Sequence, residues 1–451
     1  MNFELTRDYL QTLQELIAND KNSEVQVLIE ELHPADIAEI MDNLSIEEAK
    51  YIYLLLDGDK ASDVLVEIPD DDRTRFLAVL PPEMIASQFI ENMDSDDAAD
   101  VIGELPEELQ EKVLANIEDV EQAGDIVDLL NYEEDTAGGL MAKELVVVNE
   151  NWTVQTCLKE IGAQSEDVDE IYYVYVVDDD QKLKGILSLK KLILNSTSTK
   201  IAKIYNDDVI SVKTDIDQEE VALVMEKYDL VAIPVVDSIG RLVGRITFDD
   251  VVDVMREEAE KDYQMVSGIA GDVDSSDKVW NHTRVRLPWL FIGLLGGILG
   301  AQVIGAHEHE LTIIPMLAFF IPLIGAMAGN VGVQSSSIVV QSLAAGIPDF
   351  ESISQKLLKE LLIALSTAFV ISLCIFIYNY FVSGSLNLTW AVSLSLFAVM
   401  IFASLFGTFI PLILNRFKID PALATGPFIT TMNDIIGLLI YFLIASLFFQ
   451  F

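Results

Sequence analysis

The sequence predicts a multidomain membrane protein: an all-α superhelical N-terminal domain, a duplicated α/β module, a connecting helix and a polytopic α-helical membrane domain with five spans. Three observations carry that prediction, namely a split of charge along the chain, a helical period of 12 or 13 residues near the N-terminus and a duplication at an offset of 59. The 451 residues hold 28 Lys+Arg against 73 Asp+Glu, a net charge of −45, yet the mean hydropathy is +0.35. Charge is concentrated at one end: 90 charged residues precede Leu287 and 11 follow, about 31% against about 7% of positions. A soluble part of charge −42 therefore precedes an apolar part of charge −3. That sign excludes nucleic-acid binding, because such a surface repels phosphate. Leu, Ile and Val in periodic order exclude a disordered acidic tail. Cys157 and Cys374 fall one in each part, so no disulfide framework is expected and a reducing compartment fits. MNFELTRDYL has no basic region followed by an apolar run, so no cleaved signal peptide is expected.

Residues 1–134 form the helical domain. Leu44, Leu56, Ile68, Leu80, Met93, Leu105, Ile117 and Leu130 recur at steps of 12 or 13, each followed by a turn or cap residue: Ser45, Asp57, Pro69, Pro81, Asp94, Pro106, Glu118 and Asn131. One helix per period, paired into units near 24, reads as a small α-solenoid, with an irregular helical bundle as the plainer reading.

Residues 135–256 hold the duplication. Val176-Val177-Asp178, Gly185 and Ser188 are matched by Val235-Val236-Asp237, Gly244 and Thr247. Each copy reads as strand, acidic turn, strand, helix. This pattern resembles a tandem pair of CBS domains, which implies a pseudo-twofold disc that often binds adenine nucleotides. The resemblance puts a ribose contact on an Asp three residues after the Ser/Thr. Thr247 and Asp250 keep that spacing, whereas Ser188 is followed by Lys191. ATP binding at the second copy and a purely structural pair both remain open. Residues 257–284 then read as a connecting helix, with acids and apolar residues at helical spacing.

Residues 285–451 are the membrane domain. Residues 287–306 are an uncharged apolar stretch of 20, about the ~20 residues one helix needs to cross. Residues 311–345 lack Asp, Glu, Lys and Arg over 35 positions, too long for one straight span and too short for two. A break is expected within Gly325-Ala326-Met327-Ala328-Gly329-Asn330-Val331-Gly332, because irregular backbone at bilayer depth belongs beside a path. Further spans read as 361–382, 389–414 and 421–449. Lys278, Arg284, Arg286, Lys356, Lys359, Arg416 and Lys418 all flank one side, and the two intervening loops have no Lys or Arg. The positive-inside rule then places the acidic part in the cytoplasm and Phe451 outside.

Asp434 lies near the middle of the last span. A central Asp costs about 2.5–3.5 kcal/mol on insertion scales, so it marks an ion path or proton relay. The plainer alternative, an internal ion pair, lacks a Lys or Arg inside any span. Nearby polar residues are oxygen donors (Asn330, Gln334, Ser335, Thr430, Thr431, Asn433), which favours a hard divalent cation over a softer metal. A single carboxylate holds magnesium through its water shell and does not strip it. His307-Glu308-His309-Glu310 is either a cation-attracting outer mouth or, more simply, a solvated loop.

Pro322-x-x-Gly325, Gly329-Asn330-Val331-Gly332-Val333-Gln334-Ser335, Asp420-Pro421-Ala422 and Pro427-Phe428 followed by Asn433-Asp434 resemble the MgtE family of bacterial magnesium channels over nearly the whole chain. The resemblance implies a homodimer in the bacterial inner membrane, with a pore between subunits walled by spans two and five. The residue matching Asp434 would hold hydrated Mg2+, beside Asn330. It also implies an internal sensor that closes the pore when Mg2+ is plentiful. Acids at matching places are Asp217, Glu219, Asp229, Asp250, Asp253, Glu258 and Asp262, with Asp96, Asp97 and Asp100 as partners from the N domain. Lys261 stands inside this run where an acid would complete a site. The family commonly has a polar residue where this chain has Val333, which keeps a broader divalent-cation transporter (Co2+, Mn2+) open. A nucleotide-sensing membrane scaffold is the rival from another class. An enzyme is not expected, since the histidines form no triad and no Gly-rich phosphate cradle occurs.

Overall fold

The computed structural model describes residues 3–450 apart from 165–167, 169–170, 270, 272, 274–278, 345–351 and 425. Lys278 and Phe451, used above for orientation, lie outside the described residues. The chain divides into two units, Met1–Met255 and Arg256–Phe451.

The first unit opens with ten helices: α1 (Arg7–Ala18), α2 (Asn22–Ile29), α3 (Pro34–Asp42), α4 (Ile46–Tyr53), α5 (Gly58–Val66), α6 (Asp70–Leu77), α7 (Pro82–Gln88), α8 (Ser95–Gly103), α9 (Glu107–Leu114) and α10 (Val120–Leu129). From α3 onward one helix occupies each period. The starts follow from side-chain chemistry. Ser45 and Glu48 form a reciprocal capping box, Asp57 and Asp119 cap α5 and α10, and Pro69, Pro81 and Pro106 stand at the N-caps of α6, α7 and α9. The periodic residues lie just past each helix end. Ile68, Leu80, Met93, Leu105 and Ile117 are buried there, and Leu44, Leu56 and Leu130 are half-buried.

The duplicated module builds two three-stranded sheets of the same topology, β1-β2-β3 and β4-β5-β6. The first holds β1 (Val146–Asn149), β2 (Val174–Val177) and β3 (Leu183–Leu187), with helices α11 (Val154–Gln164) and α12 (Leu189–Leu194). The second holds β4 (Val212–Lys213), β5 (Ala232–Val236) and β6 (Leu242–Thr247), with α13 (Gln218–Tyr228) and α14 (Phe248–Val266). In each, the first pair is parallel and the second antiparallel, and the register shifts at Val176/Val177 and at Val235/Val236, 59 residues apart. The copies also meet reciprocally. Leu183 N–H donates to Gly240 C=O and Leu242 N–H to Gln181 C=O, both at 3.1 Å, the signature of a local twofold axis. One apolar core runs from the N-terminal helices into the second copy, and the first copy keeps a core of its own.

The second unit contains, among the described residues, five helices long and apolar enough to cross a membrane. These are α15 (Val279–Ala306), α17 (Ile321–Ala344), α18 (Ile353–Val382), α19 (Leu386–Arg416) and α20 (Gly426–Phe449), with a short α16 (Glu308–Ile313) before α17. The expected break is in the wrong place. A 3-10 turn at Pro315–Phe320 interrupts the long apolar stretch, and α17 then runs unbroken through Gly325–Gly332. These glycines serve close packing. A Cβ on Gly332 would stand 1.9 Å from Asn433 Nδ2, and one on Gly407 would stand 2.4 Å from the Gly332 carbonyl oxygen. No carbonyls are freed there, because the helix keeps them.

Candidate cation path and cytoplasmic carboxylate group

In the membrane unit, Asp434 is carried by α20 and held against the small-residue face of α17. Gly325 and Gly329 lie one helical turn apart, so both turn toward the same carboxylate. A Cβ on either would come within 3.5 and 3.9 Å of Asp434 Oδ1. That oxygen is buried and meets no hydrogen-bond partner among the described residues. A carboxylate so placed is stabilised by taking up a proton or by a group brought to it, such as a hydrated cation.

The other predicted donors are distributed differently. Asn433 Nδ2 donates to the Ala328 carbonyl at 3.4 Å, so its amide joins α20 to α17. Thr430 Oγ1 donates to its own helix at Gly426, and the Thr431 methyl fills the space above Gly296. Asn330 and Gln334 line a separate cavity between α17 and α18, with Glu360. Asn330 therefore does not share a setting with Asp434 within one chain.

In the first unit, α8 turns Asp96 and Asp97 toward the start of α14. Thr247 precedes that helix: its N–H donates to Asp250 Oδ2 at 3.0 Å, and its single hydroxyl hydrogen is shared between Asp250 Oδ2, at 2.7 Å, and Asp249. Asp94, Asp96 and Glu144 bring one oxygen each within 4.8 Å of one another. Glu144 is fixed by Ser95, whose N–H and Oγ donate to its two oxygens at 3.1 and 2.8 Å. Burial, and then the carboxylates of Asp97, Asp250, Asp94 and Glu144, hold Asp96 well above the ordinary carboxylate range. Asp97 is pushed up to about 7 by burial and then by Asp250 and Asp94, with Arg73 pulling the other way. Asp250 is raised by burial against the hydrogen bonds from Thr247. Crowded carboxylates that resist ionisation suit a hard divalent cation, which removes their repulsion.

The remaining predicted acids lie elsewhere. Asp100 follows on the next turn of α8 and is pushed up to about 7 by burial and then by Asp97, with Arg73 pulling the other way. Asp217 caps α13, accepting the Glu219 N–H at 2.9 Å, and Asp229 ends the same helix in the left-handed conformation. Asp253 is exposed on α14 in the first unit. Glu258 and Asp262 follow on α14 in the second unit, where Lys261 bonds Glu258 at 2.7 Å. Burial, with Asp420 and Glu258 nearby, raises Asp262. Asp94, Glu144, Asp420 and Glu360 escaped the sequence reading as ligand candidates. Asp94 adjoined a noted acidic run and Glu360 a noted apolar span, whereas nothing in the spacing pointed to Glu144.

A buried carboxylate on an apolar helix, a crowded carboxylate group in the first unit and, among the described residues, five helices long and apolar enough to cross a membrane define a polytopic membrane protein with settings that suit divalent cations. Family models agree: residues 321–444 match a divalent cation transporter domain, 32–135 the MgtE intracellular N domain, and 137–196 with 201–257 CBS domains. The chain is 34% identical to the magnesium transporter MgtE of Thermus thermophilus and 37% identical to that of Enterococcus faecalis, each over 97% of both chains. It is also similar to a solved structure, the cytosolic domain of the Mg2+ channel MgtE in complex with ATP. That match has 38% identity and a TM-score of 0.51, covering 54% of this chain and 99% of that one. The chain belongs to the MgtE family.

Proposed function

We propose that this protein is a magnesium channel of the bacterial inner membrane. It admits hydrated Mg2+ to the cytoplasm past Asp434 and closes when cytoplasmic Mg2+ binds its acidic domains. The observation that carries this reading is the buried, unpartnered Asp434 Oδ1, set against Gly325 and Gly329. An inside-negative potential favours entry of a divalent ion by about 4.6 kcal/mol per 100 mV, so no energy-coupling site is needed. One chain supplies one carboxylate and few donors beside it, which supports a homodimer with the pore between two copies of α17 and α20.

The closing signal would act on the domains 1–134 and 135–256 and on the connecting segment 257–284. Mg2+ bridging Asp96, Asp97 and Asp250, joined by Asp94 and Glu144, would relieve the repulsion among them. Asp100, one turn on from Asp96 and Asp97 along α8, and Asp217, Glu219, Asp229, Asp253, Glu258 and Asp262 are the proposed further regulatory acids. ATP is proposed to bind the CBS pair near Thr247 and Asp250. Because Asp250 also faces Asp96 and Asp97, nucleotide and cation would influence each other there.

The test is growth of a magnesium-starved, transport-deficient bacterium. Wild type should restore growth and Asp434→Asn should not, although both reach the membrane. Equal rescue by the two would remove Asp434 from the path. Flux with Co2+ and Mn2+ measures selectivity, and rates equal to that of Mg2+ would replace the magnesium channel by a broader transporter.

A further inference from the structure

A second carboxylate of the membrane unit, Glu360, lies in a cavity of about 730 Å3 between α17 and α18, with α19 as its floor. Its Oε1 accepts from both Ser335 and Ser404, and those two hydroxyls are 3.0 Å apart. Ser335 and Ser404 are 6% and 2% exposed, so the carboxylate is fixed by buried groups. Lys356 and Lys359 line the same cavity as Glu360.

The cavity is long. On α18 its lining runs from Lys356 through Glu360, Ile363 and Thr367 to Ile371, at steps of four, three, four and four, one face of the helix. On α17 it runs from Met327 to Ser342. Each path runs over 15 residue steps, about 22 Å of helix. Polarity is graded along it. Lys356, Lys359, Ser342, Gln334 and Glu360 crowd one end. Beyond them the wall is mainly Ile363, Ile371, Met327, Val331 and Met400, and Thr367 turns its hydroxyl back to its own helix at Ile363. The exposed Ile338 and Ile363 flank an opening to the side.

A compact hydrated ion needs no slot of this length, and two ammonium groups beside one carboxylate disfavour it. The dimensions and charges suit an amphiphile whose head carries both signs. We propose that the slot holds one phosphatidylethanolamine, its ammonium on Glu360, its phosphate beside Lys359 and one acyl chain between α17 and α18. Basic residues at the membrane face between helices favour lipid phosphate. The carboxylate selects the head: a primary ammonium donates charge-assisted hydrogen bonds to it, a trimethylammonium donates none, and a glycerol hydroxyl donates only neutral ones.

The test uses the delipidated full-length protein and native mass spectrometry with phosphatidylethanolamine, phosphatidylcholine or phosphatidylglycerol of identical acyl chains. One phosphatidylethanolamine per subunit should be retained, about tenfold more tightly than the other two. Glu360→Gln should erase that preference, and Lys359→Ala should weaken all three lipids. Ile371→Trp, which fills the apolar end, should abolish retention while Glu360 stays intact, and so serves if Glu360→Gln does not fold. Equal retention of the three lipids, or a preference that survives Glu360→Gln, would overturn the proposal. So would an absence of lipid because a second copy of the chain covers the slot.

Discussion

The two acidic settings of this molecule are built in opposite ways. Asp434 stands alone, with glycines opposite and one oxygen unpartnered. The group in the first unit crowds Asp94, Asp96, Asp97, Asp250 and Glu144 together, fixes several by hydrogen bonds and raises the proton affinity of Asp96, Asp97 and Asp250. A lone carboxylate attracts a divalent cation without stripping its water, so the ion is released as readily as it is taken. A crowded group holds such a cation more firmly and changes shape when it leaves. On the function proposed above, this difference separates conduction from sensing within one chain.

The comparison breaks most severely if the membrane setting does not depend on its glycines. Gly332→Ala drives a methyl group into Asn433, an overpacking that costs about 1–3 kcal/mol. Thermal inactivation of the purified protein in detergent should move down by several degrees, and an unchanged midpoint would contradict the packing account. Next in size is the double change Asp96→Asn with Asp97→Asn. It removes the repulsion that a cation would otherwise relieve, so magnesium-induced protection of α8 from hydrogen exchange should fall by about tenfold. Protection equal to that of wild type would place the sensor elsewhere.

Acid should imitate the cation to a lesser degree. Asp97 titrates at about 7 in the folded chain against 3.8 as its ordinary value. The associated stability is present at low pH and lost as pH rises through about 7. In magnesium-free buffer, the protection factors of α8 amides, with the base-catalysed rise in intrinsic exchange divided out, should therefore fall several-fold between pH 6 and pH 8, and a flat or opposite trend would contradict the crowding argument. The smallest effect is expected of Lys261→Glu, which replaces a half-exposed ion pair on α14 by an added acid. The magnesium concentration that closes the channel should drop by a few-fold at most, and a rise would exclude α14 from the sensor.

Much of this was legible in the sequence for physical reasons. An Asp inside an apolar span is conspicuous because the bilayer excludes it. The 59-residue offset survives as matching β-bulges and matching positive-φ turns at Gln181 and Gly240. The helical period survives because each repeat buries a residue just beyond its helix. What misled was glycine. In water a Gly-rich run weakens a helix, but between membrane helices the same run permits close contact and stays helical. Hence the break was expected at Gly325–Gly332 and lies at Pro315–Phe320. Glu144 was invisible because its role depends on Ser95, 49 residues away in sequence.

The most direct measurement is Mg2+ uptake into liposomes holding wild type, Asp434→Glu or Asp434→Asn at equal protein density. Asp434→Glu, which keeps the charge, should retain measurable uptake, and Asp434→Asn should lose at least about tenfold. Uptake by Asp434→Asn at the wild-type rate would contradict the claim that this carboxylate carries the ion across.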